Sequence, residues 1–192
     1  SKFRDVDVAT PTPILWCGGL LFFHFPRTLV FMKKLGAFLI PGFGTIKRDI
    51  KPAIEAGIDV LIVGSHCTEA NTTRQHIEYG ITHGLKVYAV LMMTHMAEAS
   101  VLLEQAQLLE KYGAQAVLLM DSAGAYVMDD VREKVGLLAS KLTVPIGFHP
   151  HNNLGLAVAN AVVAVQSGAT IIDGTVRGLG AGAGNVPLEV IV

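Results

Sequence analysis

Cysteine is nearly absent. Cys17 and Cys67 are the only two in 192 residues, and their contexts are dissimilar. That excludes a disulfide framework and a zinc knuckle, and makes a reducing cytoplasm the default compartment. Net charge is nearly absent too: 15 Lys and Arg stand against 16 Asp and Glu, for −1 overall. No electrostatic footprint for nucleic acid remains. No run is long enough to cross a membrane, since the most apolar stretch is residues 14–23 and a span needs about 20. Pro11 and Pro13 precede that stretch and no small-residue cleavage site is evident, so it does not read as a signal peptide. No G-x-G-x-x-G follows an early strand, which argues against a dinucleotide fold. What is abundant is apolar side chain, at 51%. That suits one domain with a deep core, or a piece of a larger one, and carries no disordered signature.

From residue 36 one unit repeats. An apolar run rich in Val, Ile and Leu precedes an amphipathic stretch that ends in Gly. The runs are residues 37–40, 59–63, 87–92, 116–120, 144–148 and 170–173. Gly57, Gly84, Gly113 and Gly168 stand where a helix C-cap is expected. Asn71 and Asp129 are placed as N-caps. Continuous apolar strands alternating with helices predict parallel strands covered by helices.

Polar residues gather after these runs. They are Ser65 to Glu69, Thr94 and His95, Asp121 and Ser122, His149 and His151, and Asp173 to Thr175. All follow the carboxyl ends of strands, where a (β/α)8 barrel builds its active site. The fold class predicted is therefore α/β of the TIM-barrel type. About six readable strands make an incomplete barrel. Residues 36–192 form the partial barrel, and residues 1–35 form an atypical N-terminal segment.

His149-Pro150-His151 is the most specific short feature. Residues two apart on a strand share a face, so two imidazoles stand together where a strand runs out. Neutral imidazole suits several transition metals. The alternative is one helix-capping histidine and one bonded to backbone. Other residues have bland alternatives as well. Asp121-Ser122 could be a turn, and His66 and His95 could simply line a pocket. Asp173 is either a site carboxylate or, as the preferred reading, a strand-end orienter of a loop. Cys67 has no readable base beside it for a nucleophilic role. Met92, Met93 and Met96 read as core filler. Residues 178–184 lack the Lys-Ser/Thr ending of a P-loop; they read as a tight turn that presents Asn185.

Several segments together resemble the 4-hydroxy-2-oxovalerate aldolases, class II pyruvate aldolases of the HMG-CoA lyase-like superfamily. They include Leu39-Ile40-Pro41-Gly42-Phe43-Gly44-Thr45, His66-Cys67-Thr68-Glu69-Ala70, Gln75-His76-Ile77-Glu78-Tyr79 and Leu91-Met92-Met93-Thr94-His95-Met96. Asp121-Ser122-Ala123-Gly124-Ala125, His149-Pro150-His151-Asn152-Asn153-Leu154 and the stretch from Gly178 to Glu189 complete the set. The resemblance implies retro-aldol cleavage of a 4-hydroxy-2-oxoacid to pyruvate and an aldehyde. It also implies a divalent ion, manganese first and magnesium or cobalt next. On that resemblance His149 and His151 are metal ligands and Asn185 stands near the metal. Ser122, with His95, binds the keto acid. An aldehyde dehydrogenase is the implied partner, through a docking region this chain does not show. An open edge of parallel strands makes a homo-oligomer a further expectation.

The N-terminus departs from the pattern. Family members begin with a strand ending in Thr-Leu-Arg-Asp-Gly and then a His; they supply a metal ligand, an enolate-stabilising cation and an acid/base. Here only Arg4 and Asp5 keep the Arg-Asp pair, with no Gly after them. The chain also stops within a helix that the family continues. The sequence therefore reads as an incomplete aldolase with little turnover. The competing readings are a non-catalytic remnant that binds metal or a small keto acid, and another carbon–carbon lyase or synthase of the superfamily.

Overall fold

The structure, a computed structural model, describes residues 34–192. Arg4, Asp5, Cys17 and nearly all of the N-terminal segment lie outside these residues. Six strands follow in chain order: β1 Gly36–Leu39, β2 Val60–His66, β3 Lys86–Met92, β4 Val117–Asp121, β5 Ile146–Pro150 and β6 Ile171–Ile172. Every neighbouring pair is parallel, and the order across the sheet equals the order in the chain. This is the arrangement of consecutive units of a barrel wall. Among the described residues the wall does not close. Strand bounds move by a few residues from those predicted. β2 runs three residues past its predicted end, to His66, and β5 moves by two, starting after Pro145 and running through His149 to Pro150. A proline cannot donate to the ladder, so a strand starts more readily after it.

The connecting helices are α1 Lys51–Glu55, α2 Arg74–Thr82, α3 Ala99–Lys111, α4 Met128–Lys141, α5 Ala157–Gln166 and a last turn, α6 Leu188–Ile191. The four glycines expected to end helices all have positive φ, the left-handed closure that lacks a Cβ penalty. The two expected N-caps are corrected. Asn71 lies inside a 3-10 turn, Ala70–Thr73, ahead of α2. Asp129 lies in the first turn of α4, where it pairs with Arg132 at 2.6 Å. Val127 stands at the N-cap, and Asp130 reaches back to accept its N–H at 2.9 Å. A side-chain preference marks a helix start only to within a few residues; the loop geometry decides which residue takes it.

Alternation divides each strand between two faces. On the helix face, Leu61, Val63, Ala89, Leu91, Val117, Leu119, Ile146 and Phe148 pack with Ile77 of α2, Leu102 and Leu109 of α3, Val131 and Leu138 of α4 and Val163 of α5. On the barrel face, Val60, Ile62, Val90, Ala116, Leu118 and Met120 form a smaller cluster edged by Phe38, Tyr88, Met92 and Ile171. Gly147 belongs to this face, and a Cβ there would run into Leu118. Its absence lets β5 lie flush beside β4, directly before His149.

Candidate functional site

The barrel face turns polar at its carboxyl end. The register pairs His66 with Met92 and Met120 with His149. Phe148 pairs with Ile172, so the next residues, His149 and Asp173, stand side by side. Two residues further on, Ser122 and His151 occupy the ends of β4 and β5. The strands thus bring Ser122, His149, His151 and Asp173 to one rim, the carboxyl end at which the sequence places all four.

His149 is 1% exposed, and its Nδ1 lies 2.8 Å from Asp173 Oδ2. A carboxylate on one ring nitrogen fixes the tautomer and aims the other nitrogen outward. With Nδ1 engaged, Nε2 is the nitrogen a metal would take. The bond to His149 fits the site-carboxylate reading of Asp173 rather than the preferred loop-orienter reading, and strand register rather than local sequence sets that role. The His149 and His151 rings stand edge to face with centroids 4.9 Å apart. Burial holds the His151 imidazole below the ordinary histidine value. The neighbouring His149 adds to this, while backbone groups of Gly184 and Ala181 and the Asp121 carboxylate oppose it. A neutral ring keeps its lone pair for a cation.

The loop of residues 178–184 folds back onto this rim. Asn152 N–H donates to Gly184 O at 2.9 Å, Val186 N–H to Pro150 O at 3.2 Å, and Asn185 N–H to Gly178 O at 2.9 Å. An antiparallel bridge joins His151 and Asn185. Gly178 and Gly184 have φ of 66° and 91°, and these left-handed corners make the tight turn that presents Asn185. The Asn185 amide donates to Leu179 O at 3.3 Å. Its Oδ1 is buried with no hydrogen-bond partner. A buried acceptor left so is costly unless something else engages it, and a cation is one such thing.

Ser122 Oγ accepts Met93 N–H at 2.9 Å, which joins the rim to the turn after β3. His95 lies in that turn, Thr94–Met96, with Nδ1 buried and unpartnered. Asp121 points to the other face, fully buried, and accepts Ala125 N–H at 3.0 Å and Tyr126 N–H at 2.9 Å. It holds the β4 turn. His66 bonds Thr68 Oγ1 at 2.8 Å through Nδ1. Cys67 is buried and burial pushes its thiol up, the opposite of an activated nucleophile. Of the three methionines read as core filler, Met92 packs on the barrel face but Met96 is 63% exposed. Its turn lifts it off the sheet. Arg4 and Asp5 lie outside the described residues. Among the described residues no cluster of three His, Cys, Asp or Glu could hold a metal, and no helix is long and apolar enough to cross a membrane.

Known proteins share this pattern. The HMGL-like family model matches residues 44–192. The chain is 54% identical over 170 residues to a 4-hydroxy-2-oxovalerate aldolase of Pectobacterium atrosepticum, covering 88% of this chain and 50% of that protein. A Spirochaeta aurantia protein of the same name is 48% identical over 176 residues, covering 92% and 52%. The chain thus spans about half the length of the curated relatives it matches. Among solved structures, the N-terminal domain of a putative aldolase from Bacteroides vulgatus superposes with a TM-score of 0.73 at 26% identity, over 83% of this chain and 54% of that one. Bacillus subtilis HMG-CoA lyase gives 0.73 at 22%, over 81% and 60%, a likeness of fold. The six parallel strands are thus a segment of this barrel architecture, and the chain belongs to the HMGL-like family.

Proposed function

We propose that the protein carrying this chain cleaves a 4-hydroxy-2-oxoacid, of the 4-hydroxy-2-oxovalerate type, to pyruvate and an aldehyde. The observation that carries this reading is the imidazole pair at the end of β5. His149 is steadied by Asp173 at 2.8 Å, and His151 is bridged to Asn185, whose buried Oδ1 lacks a partner. Two imidazole ring nitrogens and one amide oxygen fit a divalent cation of borderline character. Manganese is the first candidate, magnesium and cobalt the next. When bound, the ion would supply Lewis acidity toward the 2-oxo group.

Ser122 and His95 would hold the keto acid. Ser122 Oγ already accepts Met93 N–H, so its own proton is directed elsewhere and can serve a keto or carboxylate oxygen. In the cleavage the C3–C4 bond breaks and its electron pair passes to C3. A proton leaves the C4 hydroxyl and a proton ends on C3, so aldehyde and pyruvate balance the starting acid. Arg4 would answer the charge that develops on the 2-oxo oxygen, and Asp5 would add an anionic ligand. Because no Thr-Leu-Arg-Asp-Gly motif occurs, we expect weak metal binding and little or no turnover from the chain by itself. A dehydrogenase acting on the aldehyde, a second copy against the open strand edges, and a cytoplasmic setting belong to the same proposal.

The Arg4-Asp5 pair has no Gly after it and no nearby His, which favours a binding-only role as the second reading. A coupled pyruvate assay with added manganese separates the readings. Turnover abolished by Asp5→Ala supports an aldolase rebuilt by its N-terminus. Manganese retained without turnover supports binding alone. Equal metal content in the native chain and a His149→Ala, His151→Ala double variant would sink both.

A further inference from the structure

Met93 stands at φ 58°, ψ 32°, one of two non-glycine residues with positive φ among the described residues. A side chain is held there only when its surroundings over-determine the backbone. They do so here. Met93 N–H donates to Ser122 Oγ at 2.9 Å, the Cys67 thiol donates to Met93 O at 3.4 Å, and Thr94 Oγ1 donates to Met120 O at 2.8 Å. From behind, Lys134 of α4 donates through Nζ to Thr94 O at 3.2 Å. The same ammonium lies 4.5 Å from the centroid of the Tyr126 ring.

Lys134 is 8% exposed, and among the described residues it makes no ion pair with a carboxylate. Burying an ammonium is costly, and an apolar side chain of the same size is often as stable or more so. Packing alone therefore does not call for a lysine. Its two contacts are an aromatic face, which steadies a cation, and a carbonyl of the left-handed turn. We infer that Lys134 is a positioning residue for Ser122 and His95: its ammonium, seated on Tyr126 and bonded to Thr94 O, fixes the turn that meets the Ser122 hydroxyl and carries the His95 imidazole. This rests on the site reading proposed above, in which Ser122 and His95 meet the keto acid.

The test uses the full chain with 15N-labelled histidine and Lys134→Met, Lys134→Gln and Lys134→Arg variants. A His95→Gln variant assigns the His95 ring signals. In Lys134→Met the circular dichroism spectrum should be kept while the His95 ring resonances move. The ring of His83, at the end of α2 and so before the start of β3, the opposite end of that strand from the turn, should stay where it is. Pyruvate binding in the presence of magnesium, by calorimetry, should weaken about tenfold, the scale of one hydrogen bond. Arg can still donate and stack on the ring, so Lys134→Arg should recover the native signature. If Lys134→Met does not fold, Lys134→Gln is read in its place, since its shorter side chain loses both contacts. Unmoved His95 resonances in the folded variant overturn the inference, as do resonances moved equally in Lys134→Arg. If the native chain binds no pyruvate, the proposed function falls, and the ring resonances still decide the role of Lys134.

Discussion

The two faces of the sheet differ in what they ask of their residues. The helix face is a continuous apolar layer, closed by α2 to α5, and its polar residue on β4, Asp121, is spent on holding a turn. The barrel face has a smaller apolar cluster and gives its carboxyl end to His149, His151, Ser122 and Asp173. Each strand serves both, because successive side chains point opposite ways. The difference teaches that stability and chemistry are separated by single-residue steps. Leu119 and Met120 are neighbours in sequence, yet one is core and the other is the register partner of His149.

The comparison breaks most visibly at the histidines. His149→Ala should lower manganese affinity by well over about 100-fold, more than loss of a supporting partner costs. Isothermal titration of the folded variant checks this, and an unchanged affinity would remove the barrel face from the chemistry. On the helix face, Leu119→Ala should cost about 2–5 kcal/mol of stability, since a fully buried side chain leaves a cavity. Urea unfolding measures it, while manganese affinity of the folded protein should stay the same. A loss of binding at equal stability would reverse the assignment of faces.

Asp173→Asn sharpens the contrast further. The carboxylate touches no ligand itself, so the change should weaken manganese binding by about 10–100-fold and leave the other face untouched. Affinity equal to the native value would mean that Asp173 serves its own loop.

The smallest effect is a pH dependence on the helix side. Burial pushes the His76 imidazole below the ordinary histidine value, with the backbone of Gly44 and Thr72 opposing. The unfolded chain therefore binds the proton more readily, and stability rises with pH across the interval between the folded and unfolded values. Thermal midpoints should fall as pH drops through about 6.5, the unfolded histidine value. His76→Gln should flatten that slope. A slope unchanged by the substitution would assign the dependence to another group.

Much of this was legible in the residues. The strand–helix period, the parallel order and the shared face of His149 and His151 follow from alternation and from glycines at helix ends, all of them local patterns. So does the turn that presents Asn185, because the glycines of residues 178–184 announce left-handed corners. The helix starts at Asn71 and Asp129 were misplaced because several cap-forming residues crowd each loop, and only the backbone path chooses among them.

The sequence by itself determined the barrel-type repeat and which side chains share a face. Only the tertiary structure decided that Asp173 steadies His149, that Asp121 turns away from the site, and that Lys134 reaches across from α4 to the turn of His95. Periodicity is a property of neighbours in the chain, set by strand and helix geometry. Partners such as Asp173 and His149, 24 residues apart, or Lys134 and Thr94, 40 apart, meet only once strand register and helix packing have fixed their distance.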